Sequence, residues 1–275
     1  MLETLRQTRK SRHLSQLELS LRLGVSQRHI SFVESGRAKP SRELLAAWLQ
    51  ELEAPLGLRN DIMLQAGFAP LYSQAQLQDP SLMPVNTALQ QLLDAHDPMP
   101  ALVIDAQWNL LRLNRGAEWL ALTLMSGSGN LAEMSAPNLL DMLIAPAGLT
   151  RSILNLPEVG PAFLARLRQE AVAQPSLTEK VDAFAALLES RLGTQYLRQQ
   201  SLSPSTPVLT TRYDTPYGEL AFFSMFTTFG TPQDITLASL RVEHIFPADV
   251  ATQAVLESQV LASGESRITD EKTAP

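Results

Sequence analysis

Four short segments at the start of the chain carry apolar residues at the three- and four-residue spacing of an amphipathic helix. The second segment has Leu19 and Leu23 on one face, and the third has Ile30 and Val33. The fourth has the broadest apolar stripe, made of Leu44, Leu45, Trp48, Leu49 and Leu52. This pattern predicts a small bundle of four helices.

The residues between these segments are suited to begin and end helices. Ser15 and Glu18 form an S-x-x-E capping box, in which each side chain bonds to the other residue's amide. Gly24 suits the left-handed position that ends a helix, and Ser26 can cap the next helix after a very tight turn. Short helices joined by such a turn predict a helix-turn-helix domain.

The hydrophobic pattern changes beyond residue 85. Asn86 is expected to cap a helix, residues 100–105 and 108–113 read as a β-hairpin, and Asn114 can cap the helix that follows. Residues 131–200 are predicted to be mostly helical. A hairpin followed by an Asn-capped helix is how a PAS-like sensor fold begins.

Three late strands are predicted at residues 208–213, 219–229 and 235–246, followed by a closing helix. The middle strand is apolar on both faces, so both faces need a cover. The domain's own helices can cover one face, and a helix or a second subunit can cover the other. The expected fold is therefore an all-α helix-turn-helix domain followed by an α+β PAS-like domain with an antiparallel sheet.

Domain limits follow from these patterns. Residues 1–68 are assigned to the helix-turn-helix domain, and 69–85 to a polar, proline-punctuated linker. Residues 86–260 are assigned to the PAS-like domain, which is expected to bind a ligand and to dimerise, and 261–275 to a disordered tail.

Charge adds a functional expectation. The whole chain has a formal net charge of −6, yet residues 1–42 hold nine Lys or Arg against three Glu, so they carry +6 and the remainder −12. This asymmetry favours a polyanion as partner of the first segment, although a solvated helix face would look the same by charge alone. The chain has no cysteine, no secretory signal and no apolar run long enough for a membrane. We therefore expect a cytoplasmic protein without a metal site.

The first segment resembles the repressor-type helix-turn-helix of the XRE family over nearly all of residues 1–53. The residues that carry the resemblance are Arg9, Ser15, Gln16, Leu19, Gly24, Val25, Ser26, Ile30, Ser31, Glu34, Gly36, Pro40 and Ser41. His13 stands where the family usually has glycine, and Ser20 where it usually has alanine. The resemblance implies that Arg9 and Glu34 form a structural salt bridge.

A recognition helix enters the major groove with its N-terminal side chains at the base edges. Gln27, Arg28 and Ser31 are therefore the predicted base contacts, since Gln can bond to adenine and Arg to guanine. The predicted phosphate contacts, which fix position without reading sequence, are Gln16, Ser26, Arg37 and Lys39. The expected partner is double-stranded operator DNA.

Residues 69–255 resemble the ligand-binding domain of MmyB-like regulators, through PALVIDAQWNLLRLNRGAEWL and LAFFSMFTTFGTPQDITLASLRVEHIFPAD. That resemblance implies a PAS-like domain around an apolar small molecule such as a fatty acid. Arg212 or Arg241 could anchor a carboxylate, although Arg241 shares its strand face with Glu243, which favours an ordinary surface pair. The candidate pocket residues, which could equally be plain core, are Trp108, Trp119, Phe222, Met225, Phe226 and Phe229.

The function predicted from the sequence is a DNA-binding transcription regulator, expected to be a repressor, that forms a homodimer and senses an apolar ligand. It is not expected to be an enzyme or to need a cofactor. Two alternatives remain open at this point. One is a ligand-independent, antitoxin-like interaction module, and the other is an enzyme that acts on the apolar ligand. The enzyme would need converging titratable residues, and Asp105, Asn114 and His244 are too scattered in the sequence to claim.

Overall fold

The computed structural model describes residues 1–125, 137–194 and 208–271. Parts of the predicted helical middle (131–136 and 195–200) and the last four residues of the predicted tail lie outside the described residues. The chain forms two compact units. The first contains Met1–Ser81 and Gly230–Ala238, and the second contains Leu82–Phe229 and Ser239–Pro275.

The first unit begins with the predicted short helices. The Ser15 hydroxyl accepts from the Glu18 amide at 3.0 Å, and Glu18 accepts from the Ser15 amide at 3.1 Å, so the capping box is confirmed. Gly24 is left-handed, with φ of 67°, and Ser26 caps the next helix. His13 also has a positive φ, of 55°, where the XRE family usually has glycine. The helices are α1 (Leu2–Ser11), α2 (Gln16–Leu23), α3 (Gln27–Glu34), α4 (Arg42–Glu51) and α5 (Leu56–Gln65).

The core of this unit is built from the apolar stripes of the five helices. Trp48 is its largest fully buried side chain and lies on α4. Because each helix has only eight or ten residues, none would be stable alone, and burial of these stripes holds them together. The main core residues are Leu5, Leu19, Ile30, Val33, Leu45, Trp48, Leu49, Leu52, Ile62 and Met63.

The predicted linker 69–85 is wrong for its first part, because residues up to Ser81 pack within the first unit. The side chain of Asn60 on α5 holds this segment. Its Oδ1 accepts from the amides of Leu71 and Tyr72 at 2.8 and 3.1 Å, and its Nδ2 donates to the Tyr72 carbonyl at 2.8 Å. The segment therefore has few apolar residues because hydrogen bonds from the Asn60 side chain to its backbone help to hold it in place.

Asp234 holds the same segment further along. Its Oδ2 accepts from the Ala75 amide at 3.0 Å, while the hydroxyl of Thr236 donates to the Ala75 carbonyl at 2.7 Å. Asp234 also caps α11 (Ile235–Ser239) through the Thr236 amide at 2.7 Å. Burial opposes ionisation of Asp234, but the side-chain bond from Ser73 and the backbone amide bonds outweigh it and lower its pKa. The ionised Asp234 side chain thus joins two parts of the first unit, Ala75 and Asp234, that are 159 positions apart in the sequence.

The second unit is a five-stranded antiparallel sheet with helices on both faces. The strand order is β2-β1-β5-β4-β3, so the first hairpin lies beside the last strand of the late meander. The strands are β1 (Ala101–Ile104), β2 (Leu110–Leu113), β3 (Thr211–Thr215), β4 (Gly218–Thr228) and β5 (Arg241–Pro247). The helices are α6 (Met83–His96), α7 (Arg115–Leu124), α8 (Leu139–Ile144), α9 (Leu156–Ala173), α10 (Thr178–Leu192) and α12 (Val250–Glu271). The α-helical first unit and this α+β domain are the predicted fold class.

Several predicted boundaries are wrong. Helix α6 begins at Met83 without a side-chain cap, and the amide oxygen of Asn86 instead accepts from Arg112 at 2.7 Å. The last strand begins only at Arg241, because Asp234 caps a helix in the preceding residues. The predicted disordered tail is also wrong from its start at 261 to Glu271, because α12 continues through these residues. Its buried Leu256 and Val260 anchor the helix before it reaches the tail.

Both faces of β4 are apolar, as the sequence predicts. The inner face, with Phe222 and Phe226, packs against helices α7 to α10 and α12. The outer face carries Phe223, which stacks on Phe246 of β5 at 5.4 Å. Helix α6 lies on this outer face, because His96 at its end contacts the rings of His244 and Phe246.

Asn60→Ala is expected to release residues 71–72 from α5. Three hydrogen bonds to buried or half-buried backbone are lost, so the opening free energy of this segment should fall by about 1–3 kcal/mol. Native-state hydrogen exchange at the amides of Leu71 and Tyr72 measures this change. The matched control is Gln65→Ala, an exposed position on the same helix. Equal protection in both variants would contradict the holding role of Asn60.

Candidate functional site

The first candidate site is the exposed face of α3. Gln27 and Arg28 lie at its exposed N-terminal end, and Ser31 lies half-buried one turn later on the same face. Ser26 caps the helix with its oxygen, accepting from the His29 amide at 3.2 Å, so its hydroxyl proton stays free to donate. The geometry presents these side chains together at a helix N-terminus, where the dipole favours anions.

Phe32 orders two of the basic side chains. The Cζ atom of Arg28 lies 5.0 Å from the centre of the Phe32 ring, and that of Arg37 lies 5.9 Å from it. Such cation–π contacts restrict the rotamers of long side chains at the surface. The ring thus places the predicted base contact Arg28 beside the predicted phosphate contact Arg37. Lys39, in the following loop, is exposed.

Arg9 and Glu34 are joined by two hydrogen bonds. Arg9 Nε donates to Glu34 Oε1 at 2.7 Å, and Nη2 donates to Oε2 at 2.9 Å. The two side chains are only 8% and 4% exposed. Burial opposes ionisation of Glu34, but the bonds from Arg9 and Gln16 outweigh it and lower the pKa of Glu34. The pair fixes α1 against α3.

Gln16 has a structural role that the sequence analysis missed. Its Nε2 donates to Glu34 Oε2 at 2.7 Å, so Gln16 completes the buried network as well as starting α2. One Nε2 hydrogen serves that bond, and the second is left for a phosphate. The position of Gln16, a polar residue at the start of α2 in a domain with a predicted Arg9–Glu34 salt bridge, was the signal that could have indicated this role.

The second candidate site is a cavity of about 640 Å³ in the second unit. This volume lies within the range of about 300–1,000 Å³ that is usual for small-molecule pockets. Most of its lining is aliphatic or aromatic and comes from the inner face of the sheet and from α7 to α10. Gly160 lets α9 approach α10 at the cavity wall, because a Cβ there would lie 2.8 Å from a Leu188 methyl.

The structure divides the predicted pocket residues into two groups. Trp108, Phe222, Met225 and Phe226 line the cavity. Trp119 does not, since it packs in the cluster around Leu120 and lies 5.4 Å from the Tyr217 ring. Phe229, just beyond the end of β4, is not a lining residue either. Phe222 and Phe226 share the inner face of β4, whereas Met225 belongs to the outer face of the strand and also borders the cavity.

Neither predicted anchor lines the cavity. Arg212 is exposed and its Nη1 lies 3.5 Å from Glu219, which makes an ordinary surface pair. Arg241 pairs with Glu170 of α9 at 2.9 Å, and its expected pairing with Glu243 is wrong. The lining arginine is Arg166. Its position three residues after Phe163, within an apolar helix stripe, was the signal for it.

Arg166 belongs to a network at one end of the cavity. Glu170 accepts from Arg166 Nε and Arg241 Nη1, both at 2.9 Å, and from Trp108 Nε1 at 3.0 Å. Burial opposes ionisation of Glu170, but Arg241 and then Arg166 outweigh it and lower its pKa. The Arg166 Cζ also lies 4.1 Å from the centre of the Phe226 ring.

Two titratable side chains beside this network, Glu243 and Tyr213, are buried, and burial favours their protonated, neutral forms. Burial raises the pKa of Glu243, and a Ser224 hydrogen bond and the charges of Arg166 and Arg241 offset this only in part. Burial also raises the pKa of Tyr213, with a smaller contribution from Glu243. Both side chains line the cavity.

Comparison with known families assigns both units. A helix-turn-helix family model matches residues 5–58. The model described as MmyB-like transcription regulator ligand binding domain matches residues 85–258, which is more than half of the chain. The chain belongs to the MmyB-like transcription regulators. It is thus a DNA-binding regulator with a ligand-binding domain, and its architecture is not that of an enzyme family.

Other comparisons add little to the description of this MmyB-like regulator. No curated protein matches the chain. A solved structure titled as an RNA-binding light-oxygen-voltage receptor is similar at 13% identity over 99% of this chain and 67% of that chain, with a TM-score of 0.26. A TM-score of this size supports no conclusion about architecture or function. Among the helices that the structure describes, none is long and apolar enough to cross a membrane.

Glu34→Gln is expected to destabilise the first unit by about 3–5 kcal/mol, because it leaves the Arg9 guanidinium buried without a counter-charge. The exposed pair Arg12–Glu53 offers the matched control Glu53→Gln, which should cost less than about 1 kcal/mol. Native-state hydrogen exchange at the buried amides of α3 measures both. Equal losses would contradict the role of the buried pair.

The pH dependence of the same amides has a definite sign. Because the pKa of Glu34 is lowered in the folded state, its contribution is present above the unfolded pKa and is lost as pH falls through the folded pKa. Glu34→Gln should remove that part of the acid sensitivity.

Proposed function

We propose that this MmyB-like regulator is a cytoplasmic repressor that binds operator DNA as a homodimer, and that an apolar ligand such as a fatty acid controls this binding. The observation that carries the proposal is an apolar cavity of about 640 Å³ in a chain whose other unit is a helix-turn-helix domain. The repressor role is supported by the resemblance of the first segment to repressor-type domains.

The DNA side of the proposal is supported by charge and by exposure. Nine basic residues against three acidic ones lie within residues 1–42. One of those acids, Glu34, is neutralised by Arg9 inside the bundle, so it does not oppose a phosphate backbone. Arg28, Arg37 and Lys39 are exposed around α3 and its following loop, where a duplex would lie.

Control by a ligand is supported by the course of the chain after the cavity. Residues 222–226 of β4 line the cavity. The same strand continues to Thr228, and the segment Gly230–Ala238 that follows belongs to the first unit. There Asp234 holds Ala75. A shift of β4 on ligand binding would therefore reach the first unit through only a few residues of backbone.

A homodimer is supported by the outer face of the sheet and by DNA geometry. Met225 on that face is 59% exposed, next to the stacked rings of Phe223 and Phe246. A helix-turn-helix protein commonly binds two half-sites, about 34–36 Å apart, through a two-fold dimer. A sheet face with exposed apolar side chains can supply such a two-fold contact.

The two alternatives have less support. An antitoxin-like module needs no ligand cavity, whereas the second unit has one of ordinary small-molecule size. An enzyme would need converging titratable residues, and Asp105, Asn114 and His244 have separate roles. In the structure Asp105 closes the hairpin turn, Asn114 caps α7, and His244 lies on the outer face against His96.

Arg28→Ala is expected to relax preference at one or two base positions, because a bidentate contact to guanine gives about 1–3 kcal/mol of discrimination. Lys39→Ala should weaken all sequences alike and reduce the slope of log affinity against log salt by about one. Fluorescence anisotropy with duplexes that the full chain selects from a random library measures both. Identical behaviour of the two variants would show that the division into base and phosphate contacts is wrong.

Asp234→Ala is expected to uncouple ligand from DNA. Dodecanoate should change the operator affinity of the full chain by about 5- to 150-fold, the usual range of allosteric coupling, and the variant should lose most of that change. Anisotropy with and without dodecanoate, below its micelle concentration, measures the response.

The control for that experiment is Asp214→Ala, an exposed aspartate on β3, which should respond as the unaltered chain does. A full response in Asp234→Ala would contradict the coupling route. No response in the unaltered chain would contradict control by a fatty acid.

A further inference from the structure

We propose that the cavity binds a carboxylate head group between the guanidinium of Arg166 and the carboxyl group of Glu243. The inference rests on the proposed ligand function and adds the head-group chemistry and its position. Among the described residues that line the cavity, Arg166 and Glu243 are the two with charged side chains. A ligand head that needs a charge partner can therefore find one only at this end.

The two side chains lie around one ring. The Arg166 Cζ is 4.1 Å from the centre of the Phe226 ring, and Phe226 is the register partner of Glu243 across β4 and β5. Glu243 and Phe226 thus point from adjacent strands to the same inner face. Arg166 approaches that face from α9. Ser224 and Tyr213 complete the polar end of the cavity.

Arg166 has donors to offer. In the part of the chain that the structure describes, its guanidinium bonds to protein only through Nε, to Glu170. The terminal nitrogens are then left for a second carboxylate, which a guanidinium binds well because its donors are arranged as a fork. Glu170 itself is not available, since its two oxygens already accept three bonds.

The charges at this end favour an anion. Arg166 and Arg241 bring two positive charges, and Glu170 balances one of them. Burial raises the pKa of the Glu243 carboxyl, which favours its protonated form. When Glu243 is protonated, one positive charge is uncompensated in this half-buried site. A ligand carboxylate balances it and can also accept the Glu243 proton in a hydrogen bond, whereas a cationic head would be repelled.

Titration calorimetry with the delipidated full chain tests the head group. Dodecanoate should bind, and Arg166→Met should lower its affinity by about 10- to 100-fold, the value of a hydrogen bond to a charged group. Dodecanol, which has the same chain and no charge, should bind Arg166→Met as well as it binds the unaltered chain. The matched control is Arg212→Met, the exposed arginine outside the cavity, which should leave dodecanoate binding unchanged.

The pH dependence tests the protonated carboxyl. As pH rises through the pKa of Glu243, its ionised form repels a bound anion, so affinity should fall. Dodecanesulfonate stays charged throughout, so its pH profile reports the protein alone. Glu243→Gln keeps a neutral donor and should abolish the fall while retaining affinity. The groups that face Glu243 are Arg241 on β5, Arg166 and Glu170 on α9, Tyr213 on β3 and Ser224 on β4.

Each remaining outcome has a meaning. If dodecanoate binds with equal affinity to Arg166→Met and to the unaltered chain, the head-group position is wrong and the proposed function survives. If Glu243→Gln keeps the pH-dependent fall, the protonated carboxyl is wrong. Arg166→Lys, which retains the charge without the fork, should lose less dodecanoate affinity than Arg166→Met; an equal loss would contradict a charge-based site. If none of the three probes binds, the apolar-ligand function itself is contradicted.

Discussion

A carboxylate that leaves water must find cations or hydrogen-bond donors inside the protein, and this requirement organises both units. In the first unit Glu34 accepts from Arg9 and Gln16, which joins three helices that are too short to be stable singly. In the second unit Glu170 accepts from two arginines and a tryptophan across α9, β5 and the hairpin. The arginines differ in how many hydrogen-bond donors remain unused. Arg9 spends its donors inside the protein, whereas Arg166 faces a cavity.

Pairing of this kind also separates the functional charges of the first unit from its structural ones. Glu34 is buried against Arg9, so the acids near α3 do not oppose the exposed Arg28, Arg37 and Lys39. The short helices need a core, a buried ion pair and three capped starts before that exposed face has a fixed shape. The shape of the exposed α3 face therefore depends on the core, the buried pair and the helix caps around it.

The cavity of the second unit is a consequence of a sheet that is apolar on both faces. Helix α6 takes the outer face, while α7 to α10 arch over the inner face and leave a volume that their side chains do not fill. Strand β4 ends at Thr228, and the chain then runs on to Asp234, which holds Ala75 within the first unit.

Local chemistry was enough to predict the helix caps, the tight turn, the hairpin and the strand parity. Ser15, Gly24, Ser26 and Asn114 act within a few residues of themselves, so their roles can be read from spacing. The family resemblances supplied Arg9 with Glu34, because nothing local predicts a bond between residues 25 positions apart.

What only the tertiary structure decided involves partners that are distant along the chain. The local sequence allowed Asn86 to cap a helix, but its side chain instead accepts a hydrogen bond from Arg112. Residues 69–81 look like a linker until Asn60 and Asp234 hold their backbone, and Asp234 turns a predicted strand into a helix by the same bonds. Arg166 could be placed in the cavity only once α9 was packed over β4. The sequence alone determined the short N-terminal helices, the hairpin and most of the remaining elements, since those preferences are local. The fold decided which polar side chains are used up in pairs and which remain for a ligand, since that depends on long-range packing.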